Sequence, residues 1–215
     1  MKNVLAIIGD YYHKADVIER GLKNAFDFSS LNLVIKEDVD SIDWQNISHM
    51  NAIVLSKAAH IAPRESDEIW MLDEHEALLE QYVANGGNLF MLHSSLAGYP
   101  TGGSFRNMVK GHFIHHPAEH PVINIEPVNS PHPILIGVEP FEITDEQYFV
   151  EWDDNTTHTL LSGSSIEFGS SAVAWAHAYG KGRVFCLTPG HTDEVFSHPM
   201  MKKLIANGIN WCLSS

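Results

Sequence analysis

Asn85-Gly86-Gly87-Asn88-Leu89-Phe90-Met91-Leu92-His93-Ser94 is the stretch whose reading decides the fold. The Asn-Gly-Gly triplet ends the helical pattern before it, and Gly86 suits a left-handed cap because it has no Cβ to oppose positive φ. Asn88 to Leu92 reads as a strand, and His93-Ser94 stands at its carboxyl end. On the N-terminal side, Ser66 to Ala84 reads as a long acidic helix with Ile69, Trp70, Leu72, Leu78, Leu79 and Val83 on its buried stripe. Val4 to Gly9 is a continuous apolar run, the pattern of a strand covered on both faces. Asp16 to Phe26 follows at helical spacing, then strands at Leu31–Lys36 and Ala52–Ser56. Strand and helix alternate, which predicts a parallel sheet with right-handed crossovers.

The other direction differs. Seven of the ten prolines fall between Gly98 and Ser165, with no long helix among them. Val122–Val128 and Phe141–Val150 read as strands. Ser171–Tyr179 pairs with Gly182–Thr188 across Gly180-Lys181, adding antiparallel strands to one edge of the sheet. A helix from Pro199 to Trp211 closes the chain, with proline in its first turn. No repeat, low-complexity tract or linker interrupts the sequence, so residues 1–215 read as one domain.

A chain of 215 residues can bury about 70% of its unfolded surface and needs no staples. Cys186 and Cys212 lie in apolar surroundings without CxxC spacing and read as buried thiols of a reducing compartment. The net charge of −14, with 13 basic residues against 27 acids, argues against nucleic acid or an anionic membrane as partner. The apolar run near the N-terminus stops at Gly9-Asp10, too early for a signal peptide, and no run approaches the roughly 20 residues of a membrane helix. A cytoplasmic location is expected. Histidine is the oddity: the 14 of them outnumber Lys and Arg together and are dispersed.

In open α/β sheets ligands bind beyond the carboxyl ends of the strands. Gly9-Asp10-Tyr11-Tyr12-His13 follows the first strand, His93-Ser94-Ser95 the fourth, and Pro189-Gly190-His191-Thr192-Asp193-Glu194 the hairpin strand. Any one of these histidines alone is more often a surface or core residue. Three at the same rim favour a site, with His93 and His191 as acid–base groups and His13 beside them. The same three imidazoles admit a divalent metal such as zinc. Gly111-His112-Phe113-Ile114-His115-His116-Pro117 adds histidines, but adjacent His115 and His116 point to opposite faces of a strand, so at most one shares the site. Glu146 and Tyr148 share a strand face by two-residue periodicity, and Glu146 is either a general base or a rim carboxylate. GxGxxG, GxxxxGK[ST], HExxH and GxSxG are all absent.

The stretch quoted first, followed by Tyr99-Pro100, Ser104-Phe105-Arg106, Gly111-His112-Phe113 and His116-Pro117, resembles the ThuA-like (trehalose utilisation) proteins. So do His132-Pro133-Ile134, Phe141-Glu142-Ile143, Asp145-Glu146-Gln147-Tyr148, and Tyr179-Gly180-Lys181-Gly182-Arg183-Val184 leading to Gly190-His191. The resemblance implies a three-layer flavodoxin-like fold, similar to class I glutamine amidotransferases: a mostly parallel sheet with antiparallel additions. Amidotransferases carry a cysteine nucleophile at the strand-end elbow. Here His93-Ser94 takes that place, so glutaminase activity is not expected.

The family implies carbohydrate use, with trehalose or a related disaccharide as namesake and a keto-sugar as one form of substrate. On this resemblance His93, His191 and Glu146 are the catalytic candidates. His13, Ser94, Arg106, His116 and Tyr148 are the substrate-binding ones. Three readings stand: an enzyme on a sugar or keto-sugar derivative, a non-catalytic sugar-binding or regulatory protein, and a divalent-metal-dependent hydrolase or isomerase built on His13, His93 and His191. The expected partner is a small-molecule carbohydrate, and homo-oligomerisation is left open. A pocket-facing imidazole packs little core, so loss of His93 is expected to spare stability.

Overall fold

The computed structural model describes residues 1–128 and 131–214. The chain begins with β1 (Lys2–Ile8), α1 (Ala15–Ala25), β2 (Leu31–Lys36), β3 (Ala52–Ser56), α2 (Asp73–Ala84) and β4 (Asn88–Leu92). It continues with α3 (Gly103–Val109), β5 (Gly111–His115), β6 (Val122–Pro127), β7 (Phe141–Thr144) and β8 (Phe149–Trp152). It ends with β9 (His158–Ser165), β10 (Gly169–Tyr179), β11 (Gly182–Leu187), α4 (Asp193–Ser197) and α5 (Pro199–Leu213).

Nine strands form one sheet in the order β2-β1-β3-β4-β11-β10-β9-β6-β7. The first five are mutually parallel. The last four extend the sheet in antiparallel fashion. β5 and β8 pair apart from it. Strand periodicity explains why β1 reads as an unbroken apolar run. Val4, Ala6 and Ile8 pack with Ile18 and Leu22 of α1 and Leu204, Ile205 and Ile209 of α5. Leu5 and Ile7 face the other way, into Leu79 and Val83 of α2 and Phe105 and Met108 of α3. Both faces are covered, and the parallel strands bring their carboxyl ends to one edge.

Three elements differ from the sequence reading. The helix expected from Ser66 starts only at Asp73. The preceding residues pair with 59–61 instead: Trp70 donates its backbone N–H to the Ala59 carbonyl and its indole N–H to Ala58, and Ile69 bridges His60. Burying Trp70 with its indole satisfied outweighs the local helical spacing. The single strand expected over Phe141–Val150 is two strands in different sheets, and residues 145–148 are irregular between them. β9 lies at His158–Ser165, where the sequence reading assigns no element.

Cys186 and Cys212 are both fully buried. Burial pushes both thiols up, Cys212 to about 12, so neither forms the reactive thiolate near neutrality. A thiol reagent should therefore label neither in the folded protein and both after denaturation. Rapid stoichiometric labelling of the native chain would contradict the buried placement. Among the described residues, no helix is long and apolar enough to cross a membrane.

Candidate metal centre

Each histidine of the site is delivered by a strand end whose local geometry leaves little choice of direction. After β1, Gly9 takes φ +86°, and a Cβ there would stand 2.7 Å from the Ala15 side chain. This turn places Asp10, whose Oδ1 accepts from the backbone N–H of Tyr12 (3.0 Å) and His13 (3.1 Å) and from His13 Nδ1 (2.7 Å). Asp10 Oδ2 accepts from Ala58 N–H at 2.8 Å. Burial opposes the Asp10 charge, but the hydrogen bond and charge of His13 outweigh it and hold the carboxyl far below its usual range.

After β4, His93 itself takes φ +48°. A non-glycine residue is strained there and persists only where its surroundings over-determine it. They do: His93 Nδ1 donates to the Thr188 carbonyl at 2.7 Å, and the ring stacks on Tyr148 at 4.5 Å between centroids. After β11, Gly190 at φ +150° passes close to His93; a Cβ there would lie 3.1 Å from His93 Cβ. Buried Asp145 clamps this turn, accepting from Gly190 N–H (2.8 Å) and His191 N–H (3.3 Å). The next residue, Glu146, enters from the irregular 145–148 segment.

His13, His93, Glu146 and His191 each present a ligand atom within 4.8 Å of the others. His13 Nε2 lies 3.1 Å from His93 Nε2. Glu146 Oε2 lies 3.3 Å from His93 Nε2, 3.3 Å from His191 Nδ1 and 3.9 Å from His13 Nε2. Ligand atoms of a tetrahedral zinc ion at the usual bond lengths sit about 3.3 Å apart. The hydrogen bonds fix the tautomers. His13 and His93 each carry hydrogen on Nδ1, facing Asp10 and a carbonyl, so two neutral rings would point Nε2 lone pairs at each other. Among the described residues, the buried Nδ1 atom of His191 makes no hydrogen bond. Only a proton or a cation between these groups resolves the repulsion, and the outer Asp10 and Thr188 contacts are the kind that orient metal-binding histidines. The residues fit a divalent ion.

Without an ion, a proton takes its place. Burial lowers the basicity of His13, but the hydrogen bonds to Asp10 and Glu146 outweigh it and raise its pKa from 6.5 to about 9. Burial keeps His93 low and neutral. Burial likewise opposes the Glu146 carboxylate, yet His13, His191 and His93 hold it ionised. Because the His13 pKa is higher folded than unfolded, its stabilising effect is complete below about 6.5 and lost as pH rises through about 9. In metal-free protein, the melting-temperature advantage of wild type over His13→Gln should thus shrink between those pH values. A gap that widened with pH would contradict the protonated cluster.

A cavity of about 390 Å³ opens against this group, with Asp10, His13 and Glu146 on one wall and Tyr11, Tyr12, Phe113, His116 and Tyr148 on the others. Among the substrate-binding candidates, His13, His116 and Tyr148 line it. His116 Nε2 lies 3.6 Å from Glu146 Oε1, while His115 stacks on Phe149. Two candidates do not join it. Ser94 is fully buried. Arg106 is spent on a bidentate pair with Asp153 (2.8 and 3.3 Å) and a bond from Nε to His112. Its planar fork matches one carboxylate, which leaves nothing for a sugar. His93 is 1% exposed and stacked, so it packs core as well as facing the site, against the expectation of an idle pocket imidazole. Asp10 and Asp145 were missed, though Asp10 follows the first strand directly. His120, whose Nε2 is 3.9 Å from Glu146 Oε1, carried no signal.

Fold and site define a class: an α/β protein with a histidine–carboxylate centre at the carboxyl ends of parallel strands. The ThuA (trehalose utilisation) family profile matches residues 10–212, and the chain belongs to that family. No curated protein matches the sequence. A ThuA-like protein from Bacteroides uniformis superposes with TM-score 0.75 at 18% identity, covering 100% of this chain and 92% of its own. Another from Parabacteroides merdae gives 0.75 at 16%, over 99% and 90%. A β-galactosidase from Bacillus circulans matches 98% of this chain with 31% of its own, at TM-score 0.64 and 12% identity. At these identities the likeness is one of fold.

Proposed function

We propose that this ThuA-family chain is a divalent-metal-dependent enzyme of carbohydrate utilisation, acting on a keto-sugar derivative by isomerisation or elimination and without glutaminase activity. The observation that carries the reading is the meeting of three imidazoles and one carboxylate from four separate segments, with tautomers that leave facing lone pairs. The five parallel strands in the order β2-β1-β3-β4-β11 are read as a flavodoxin-like core, whose ligands gather at this edge. His13, His93, His191 and Glu146 would hold the ion. When bound, a divalent cation such as zinc, which can expand from four to five ligands, would polarise a carbonyl oxygen and acidify the neighbouring C–H.

The rest of the cavity suits a sugar ring. Tyr11 and Tyr12 are 45% and 51% exposed at its mouth and offer aromatic faces to the apolar C–H face of a pyranose. Tyr148 is 4% exposed and its hydroxyl has no protein hydrogen-bond partner among the described residues. Burial raises its pKa well above the usual value, so it stays a donor for a ketone or hydroxyl oxygen. His93-Ser94 occupies the strand-end elbow and both cysteines are fully buried with their thiols pushed up, so no thiolate serves there. The protein is read as cytoplasmic, with a small-molecule carbohydrate as partner.

The test uses protein purified without a nickel resin. Metal analysis should give one ion per chain, and consumption of methyl 3-keto-glucoside should stop on chelation and resume on adding zinc. Full turnover by demetallated protein would sink the reading.

A further inference from the structure

We propose that His116, and no member of the inner cluster, is the acid–base residue of the cavity. This rests on the metal and keto-sugar reading above. An ion held by His13 Nε2, His93 Nε2, His191 Nδ1 and Glu146 Oε2 takes every lone pair that these side chains turn inward. Their remaining atoms offer no substitute. His13 Nδ1 and His93 Nδ1 are tied to Asp10 and Thr188, and His191 Nε2 carries hydrogen once Nδ1 is a ligand. Glu146 keeps Oε1, but a carboxylate bound to a cation is a weak base.

His116 stands next in line. Its Nδ1 donates to the Pro117 carbonyl at 2.6 Å, which leaves the lone pair of the neutral ring on Nε2. That Nε2 lies 3.6 Å from Glu146 Oε1, at the border between the inner cluster and the cavity. The ring lies nearly parallel to Tyr148, at 15° and 5.9 Å between centroids. Its side chain is 32% exposed, so a proton gained from substrate can pass to solvent. The same two features, an orienting acceptor behind one nitrogen and an accessible second nitrogen, define a positioned general base.

The step balances without a further reactant. Nε2 takes the hydrogen from the carbon beside the ketone; the C–H pair becomes a C=C bond, and the carbonyl pair moves to oxygen. The Tyr148 hydroxyl donates to that oxygen. The His116 imidazolium then returns its proton to carbon or releases it to water.

The experiment follows hydrogen–deuterium exchange beside the ketone of methyl 3-keto-glucoside by NMR, in D2O, with zinc-loaded wild type and His116→Gln. The variant should exchange at least about 100-fold more slowly, the scale of one lost acid–base group. It should keep one ion per chain, and imidazole added to His116→Ala should restore part of the rate. A His116→Gln rate equal to wild type would overturn the assignment, as would loss of exchange on His60→Gln, at another histidine that lines the cavity, with His116→Gln unaffected. Exchange absent from wild type would overturn the keto-sugar reading and this assignment with it. One ion per chain with normal His116→Gln exchange would overturn the assignment alone.

Discussion

His93→Ala should lower turnover at least about 100-fold and, unlike a surface substitution, also lower the melting temperature. The first effect comes from removing one of four ligand atoms; displacement of an orienting contact alone costs about 10–100-fold in metal affinity or activity. The second comes from packing. His93 is 1% exposed, bonded to Thr188 and stacked on Tyr148, so truncation leaves a void and an unpaired carbonyl. An orphaned buried acceptor costs roughly 1–3 kcal/mol. At about 2–4 °C per kcal/mol for a chain of this size, the midpoint should fall by several degrees. The His93→Ala/His191→Ala double variant should be scarcely slower than either single, because ligands of one ion act as a unit. Turnover kept at a lowered midpoint would make His93 a core histidine only.

Zinc should raise the melting temperature of demetallated wild type strongly. An ion binding only the folded state at 1,000 times its Kd contributes about 4.1 kcal/mol. That corresponds to roughly 8–16 °C at the same conversion. The effect should be largest at alkaline pH, where the proton competing at His13 has left. Glu146→Gln keeps the shape and loses the anion that faces five imidazoles, so it should lose most of the shift. An undiminished shift in His93→Ala/His191→Ala would place the ion elsewhere.

The parallel half of the sheet was legible because β1, β3, β4 and β11 are buried on both faces and cannot hide among polar residues, while the half-buried edge strand β2 showed by its alternation. The three histidines were legible for the same reason: each follows such a strand by a few residues, and topology alone brings them to one edge. What escaped depends on long-range contacts. Glu146 reaches the site from an irregular segment, not a strand, since Asp145 is committed to the Gly190 turn 45 residues away. Trp70 abandons a helical pattern to pair with 58–59. Arg106 sits in a segment similar to family motifs, but Asp153, 47 residues later, claims it. Periodicity carries no information on which distant carboxylate a buried guanidinium will find. The tautomers that make the cluster a cation site were equally invisible, because they are set by Thr188 and Asp10 after folding.

X-ray absorption at the zinc edge of protein loaded with one equivalent tests the central claim most directly. The expected first shell holds three imidazole nitrogens and carboxylate oxygen at about 2.0–2.1 Å, with the outer-shell scattering of imidazole rings. His191→Ala should reduce the imidazole contribution by one third. A shell containing sulfur at about 2.3 Å, or oxygen alone, would contradict a centre built from His13, His93, His191 and Glu146.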